Sequence, residues 1–130
     1  MTSATSATEL VDLAEAVAAL ADRRLGTSRH LAAALLLRQA VETAIDAIYD
    51  THAPGLGGCS SRAELACLPF FVDDTDLSHD AAYCWHRLTR ACHHDEYDLP
   101  PSAREIEHLA GIARRLAECA ATSPSQVPAR

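Results

Sequence analysis

Apolar residues recur at three- and four-residue steps along most of this chain, the spacing of helices that bury one face. Leu10, Leu13, Ala14, Val17, Leu20 and Ala21 form the first such stripe, in a helix expected to start near Thr8. Ser6 followed by Glu9 offers a capping box at its entry. Gly26 is expected to end it, with Arg23 and Arg24 in the last turn, where cations suit the helix dipole. A second helix is expected from a Ser28 cap to about His52, with Leu31, Leu35, Arg38, Val41, Ile45, Ile48 and Tyr49 on or beside one face. Its interior alanines and triple leucine predict burial on more than one side, and so a central position.

The segment APGLGGCS at 53–60 reads as a loop by its glycine and proline content. Ser61 and Glu64 suggest another capping box, opening a short helix that Pro69 limits. In the connection FFVDDTD, the two aromatics are expected to pack over the end of the core. The next helix is expected from about Leu77 to His94 or slightly beyond, with Ala81, Cys84, Leu88, Ala91 and Cys92 inward and Trp85 at the flank. DLPP at 98–101 breaks the chain, and Ser102 with Glu105 gives the clearest capping box. Ile106, Leu109, Ala110, Ala113, Leu116, Ala117 and Ala120 mark the last helix. The expected architecture is all-α: an up-down antiparallel bundle of four long helices plus one short helix. It forms one domain over residues 9–121, with flexible tails at 1–8 and 122–130.

Composition agrees with this pattern. In 130 residues, aromatics make up only 5% while alanine and leucine abound, which favours close helix packing over a large sheet. All eleven basic residues are arginine, which we read mainly as codon bias in a GC-rich genome. A net charge of −7 disfavours a broadly basic nucleic-acid surface but leaves room for a local cluster of arginines. The longest apolar run, LAAALLL at 31–37, is far short of the roughly 20 residues of a membrane span. The start, MTSATSATE, lacks the pattern of a secretory signal. Five cysteines without a CxxC pair read as reduced thiols, so a cytoplasmic location without membrane contact is expected.

The chemistry concentrates in RLTRACHHDEY, residues 87–97. On a helix Arg87, Arg90 and His94 line up, and His79, His86, Arg90 and His93 make an overlapping row. One reading is a solvated face whose arginines pair with Asp80, Asp95 or Glu96. A metal site is another, with Asp80 or Glu42 joining the histidines, but His-Glu-x-x-His, Glu-x-x-His and CxxC spacings are absent here. The third is acid–base chemistry on a phosphodiester. Histidine exchanges protons near neutrality, with an ordinary pKa of about 6.5. Arginine presents a fixed cationic fork to phosphate oxygens. Nearby, Arg38 with Glu42 reads as an ion pair one turn apart or as added phosphate affinity, and Tyr97 as a packed ring or a ligand contact.

An arginine followed by histidine after four to six residues, late in a four- or five-helix bundle, resembles HEPN domains. Arg87 to His93 and Arg87 to His94 both satisfy that spacing, and the long helix carrying LLLRQAVETAIDAIY resembles the family's second helix. The likeness covers about residues 9–121. It implies a metal-independent endoribonuclease of a toxin–antitoxin or phage-defence type, or a non-catalytic interaction module or partner subunit of such a complex. It also implies a homodimer with both motifs in one cleft, RNA or a partner protein as ligand, and no cofactor or metal. Carried over, Arg87 steers phosphate and His93 or His94 is the acid–base group; beside them, Arg90, His86, Arg38 and Tyr97 are expected from their positions as substrate contacts. Leu88 stands where the family often has a polar residue, and Arg90 is the alternative arginine.

Overall fold

The computed structural model describes residues 6–20, 26, 28–93 and 99–122. Five α-helices account for most of them: α1 (Ala7–Ala18), α2 (Ser28–His52), α3 (Ser61–Cys67), α4 (Thr75–Cys92) and α5 (Ala103–Ala121). Short 3₁₀ turns lie at Pro54–Leu56 and Leu68–Phe70, and no strand occurs among the described residues. The chain is therefore all-helical. None of these helices is long and apolar enough to cross a membrane.

Local chemistry explains the helix starts. Ser6 Oγ accepts from the Glu9 amide (3.1 Å) and donates to its carboxylate, capping α1. At α3 the cap is Ser60, not Ser61: its hydroxyl accepts from the Ala63 amide at 3.2 Å. Ser28 is already the first residue of α2 rather than a cap. Helix α4 begins at Thr75, ahead of the expected Leu77, because Asp74 Oδ1 accepts from the Leu77 amide at 3.0 Å.

The ends differ more. Helix α1 stops at Ala18, well before Gly26, which has a φ of +51°. Its exit tightens through a bond from the Leu20 amide to the Val17 carbonyl (3.2 Å), and Arg29 on α2 donates to the Leu20 carbonyl. Leu20 is thus an exposed, non-helical residue rather than part of a buried stripe, while Ala21, Arg23 and Arg24 lie outside the described residues. The buried stripe of α1 is Ala7, Val11 and Ala14, so Leu13 faces outward.

Helix α2 packs against α1, α3, α4 and α5, which confirms its central position. Ala33, Ala34, Ala40 and Ala44 are fully buried along it, and such small side chains let neighbouring axes approach. Leu37, Val41, Ile45, Ile48 and Tyr49 complete its buried side, whereas Leu35 is exposed and Leu31 partly so. Cys84, Leu88, Leu109 and Leu116 fill the space between α4 and α5, where burial, with Asp80 adding to it, pushes the Cys84 thiol up to about 12. Of the two phenylalanines only Phe71 packs inward, edge-on to Tyr49 and stacked on His52; Phe70 is almost fully exposed.

Candidate functional site

Helix α4 turns its residues in three directions. Trp85 faces α2, where its indole Nε1 donates to Glu42 Oε2 at 3.0 Å. Two residues on, about 200° around the helix, Arg87 faces α5 and grips Glu105 with both ends of its fork: Nε to Oε2 at 2.7 Å and Nη2 to Oε1 at 2.9 Å. His79, His86, Arg90 and His93 are exposed on the outward side. His93 is the C-cap, its amide bonded to the Thr89 carbonyl at 3.0 Å, and Arg90 in the last turn complements the negative end of the dipole.

The site residues expected from the sequence therefore do not converge on one cluster. His86, Arg90 and His93 share a wet face. Arg87 is turned toward α5 and half-buried against a carboxylate. Arg38 is on the far side of α4 from Arg87: it pairs with Glu42 (3.3 Å) and lies 6.0 Å over the Trp85 ring. That arrangement matches the ion-pair reading of Arg38 and does not bring it to Arg87. His94 and Tyr97 lie outside the described residues, as do Asp95 and Glu96.

Asp80, considered as a partner for the arginines of α4, instead binds Arg115 on α5 at 2.7 Å. Glu42 is likewise held by Arg38 and Trp85. Among the described residues no three His, Cys, Asp or Glu side chains are grouped to hold a metal ion.

The residue that sequence reasoning missed here is Glu105. Ser102 Oγ does accept from the Glu105 amide (3.1 Å), as the capping box requires. The Glu105 side chain, however, reaches across to Arg87. The spacing marked Glu105 as a helix-start residue, and nothing local pointed to a partner 18 positions away.

Beside the end of α4 runs an apolar groove of about 270 Å3, lined by Leu31, Ala32 and Leu35 of α2 and by Ala91 and Cys92 of α4. Cys92 is half-buried there; burial pushes its thiol up, while the neighbouring Arg38 guanidinium pulls it the other way.

No family model, no curated protein and no solved structure matches the chain.

Proposed function

We infer that this chain is a HEPN-like module, an up-down antiparallel bundle of four long helices and one short one, that cuts RNA without metal at a cleft between two copies. The observation that carries this reading is the end of α4. A guanidinium held in place by a carboxylate, Arg87 on Glu105, is followed within two turns by the exposed Arg90 and His93. A guanidinium has five N–H donors, of which Glu105 takes two, so the Arg87 fork keeps donors for a phosphate oxygen.

The chemistry needs nothing beyond these groups. His93 or His94 takes the proton of an RNA 2′-hydroxyl, and that oxygen attacks the adjacent phosphorus. The bond to the 5′-oxygen breaks, and that oxygen leaves with a proton from a second histidine. Arginine offsets the extra negative charge on the phosphate oxygens during the step. The products end in a 2′,3′-cyclic phosphate and a 5′-hydroxyl.

A second copy fits the apolar groove beside α4. Leu35 is half-exposed there, next to Ala91 and Cys92, and a partner seated on it brings two α4 ends together. Such a protein acts in the cytoplasm, in a toxin–antitoxin or phage-defence setting, with RNA or a partner protein as its ligand.

One observation favours a second reading. Glu105 neutralises Arg87, which suits a non-catalytic interaction module in which this arginine only straps α4 to α5. Cleavage of a mixed RNA in EDTA separates the two. The ribonuclease reading expects activity in the wild type that is lost in Arg87→Ala and in His93→Ala/His94→Ala, with circular dichroism unchanged. A folded wild type that leaves RNA intact and co-purifies with a protein partner supports the module instead.

A further inference from the structure

An acidic cleft of about 570 Å3 lies between α2, α3 and the loop that joins them. Glu42, Asp46 and Asp50 stand along α2, one helical turn apart. Gly57, Gly58 and Cys59 form the rim, and Gly57 lies close enough that an added Cβ would come within 4.0 Å of Asp50 Oδ1. Glu64 of α3 forms the wall.

Glu64 is the unusual member. It is only 5% exposed, and its Oε2 is covered and has no hydrogen-bond partner. The backbone at Glu64 is pinned by Tyr49, whose hydroxyl donates to the Glu64 carbonyl at 2.6 Å, and Glu64 is among the residues that line the cleft. Burial raises its carboxyl above the usual range, and Asp46 and Asp50 add to the shift. Asp46 is raised too, by partial desolvation at the cleft and by Asp50 and Glu42. Glu42 has its cation in Arg38, but among the described residues no cation pairs with Asp46, Asp50 or Glu64. A buried carboxylate among like charges is costly unless a cation joins it.

The spacing indicates which cation. These carboxylates are strung along the helix, about 6 Å per step of four residues, and do not converge as a hard metal ion requires. An extended three- or four-carbon chain separates two amine nitrogens by about 5 to 6 Å at ordinary bond lengths. We propose that this cleft binds a linear aliphatic polyamine, with successive ammonium groups on Asp46 and Asp50 and one against the buried Glu64 carboxylate.

The test is calorimetric titration of spermidine into the full chain in about 150 mM NaCl, where attraction to the overall negative charge is largely screened. The expected result is saturable one-site binding, weakened about tenfold or more in Glu64→Gln and in Asp46→Asn/Asp50→Asn, and unchanged in the remote Glu107→Gln/Glu118→Gln. Asp46 and Asp50 are exposed, so their double variant carries the test should Glu64→Gln fold poorly. The proposal is overturned by weak unsaturable uptake that is equal in all variants, or by displacement of spermidine by equimolar Mg2+. It is equally overturned by a tri-lysine peptide binding more tightly than spermidine, which would indicate a protein partner. Absence of binding to the wild type overturns it as well and leaves Glu64 as a carboxyl that is simply protonated.

Discussion

At the scale of single residues, most polar side chains with a settled role here hold two elements together. Arg87 and Glu105 are 28% and 35% exposed, so solvent and salt weaken their attraction. A double-mutant cycle on Arg87→Ala and Glu105→Gln should give a coupling of about 1 kcal/mol in urea melts, shrinking at high salt. A coupling near zero would mean the bidentate geometry adds nothing to the fold. The same pair has a second consequence under the ribonuclease reading. Glu105→Gln lets the guanidinium wander and should lower RNA cleavage by about tenfold, whereas an arginine merely sequestered by Glu105 would become more available and raise RNA binding. Tyr49 offers a cleaner structural test. Its hydroxyl donates to the Glu64 carbonyl inside the core, where burial pushes the phenol up to about 12. Tyr49→Phe should cost about 1 kcal/mol and lower the melting temperature by a few degrees, about 2–5 °C; an unchanged melt would show that the carbonyl is satisfied without it.

At the scale of elements, the number and order of helices were legible because the starts of α1, α3, α4 and α5 carry side-chain caps and each core helix an apolar stripe. Ser6 and Ser102 lie where the capping-box spacing put them. Ser102→Ala should cost about 1 kcal/mol in a thermal melt, since it strips the cap from the helix that also presents Glu105. Stripe phase was harder to read. In α1 the expected stripe keeps Ala14 and, in part, Leu10, but Leu13 faces outward, and packing against α2 and α5 puts Ala7 and Val11 inside instead. In α2 the expected face holds for Val41, Ile45, Ile48 and Tyr49 and the interior alanines are buried as expected, whereas Leu35 is exposed and Leu31 partly so, because the close approach of neighbouring helices falls on the alanine side there. Along α4 the titratable residues were identifiable as a group, but an alignment by sequence spacing alone could not tell that Arg87 turns to α5 while Arg38 stays beside Trp85. The carboxylates Glu42, Asp46 and Asp50 had readable spacing; the burial of Glu64 opposite them depends on tertiary packing.

At the scale of the molecule, the last helix is strapped to its neighbours by ion pairs: Arg114 holds Asp12 and Glu15 of α1, Arg115 holds Asp80, and Glu105 holds Arg87. An acidic chain thus places part of its small arginine complement between helices. The acidic cleft sets a pH dependence. Burial raises the carboxyl of Glu64, and partial desolvation with neighbouring carboxylates raises that of Asp46, so the folded chain binds protons more readily than the unfolded one as pH falls. Stability should therefore rise from neutrality as the pH drops through those raised values, levelling off near the ordinary carboxylate value of about 4. Glu64→Gln should flatten that rise, read as melting temperature against pH; identical profiles would contradict the assignment. Pairing of two copies over the α2–α4 groove predicts a dimer by light scattering that Leu35→Glu dissociates without loss of helicity; a monomeric wild type at micromolar concentration would contradict it. The central claim, RNA cleavage by an arginine and histidine at the end of α4, is tested most directly by identifying the ends of RNA fragments produced by the wild type in EDTA. The account predicts 2′,3′-cyclic phosphate and 5′-hydroxyl ends that disappear with Arg87→Ala. Intact RNA, 5′-phosphate ends, or the same fragments from the variant would contradict it.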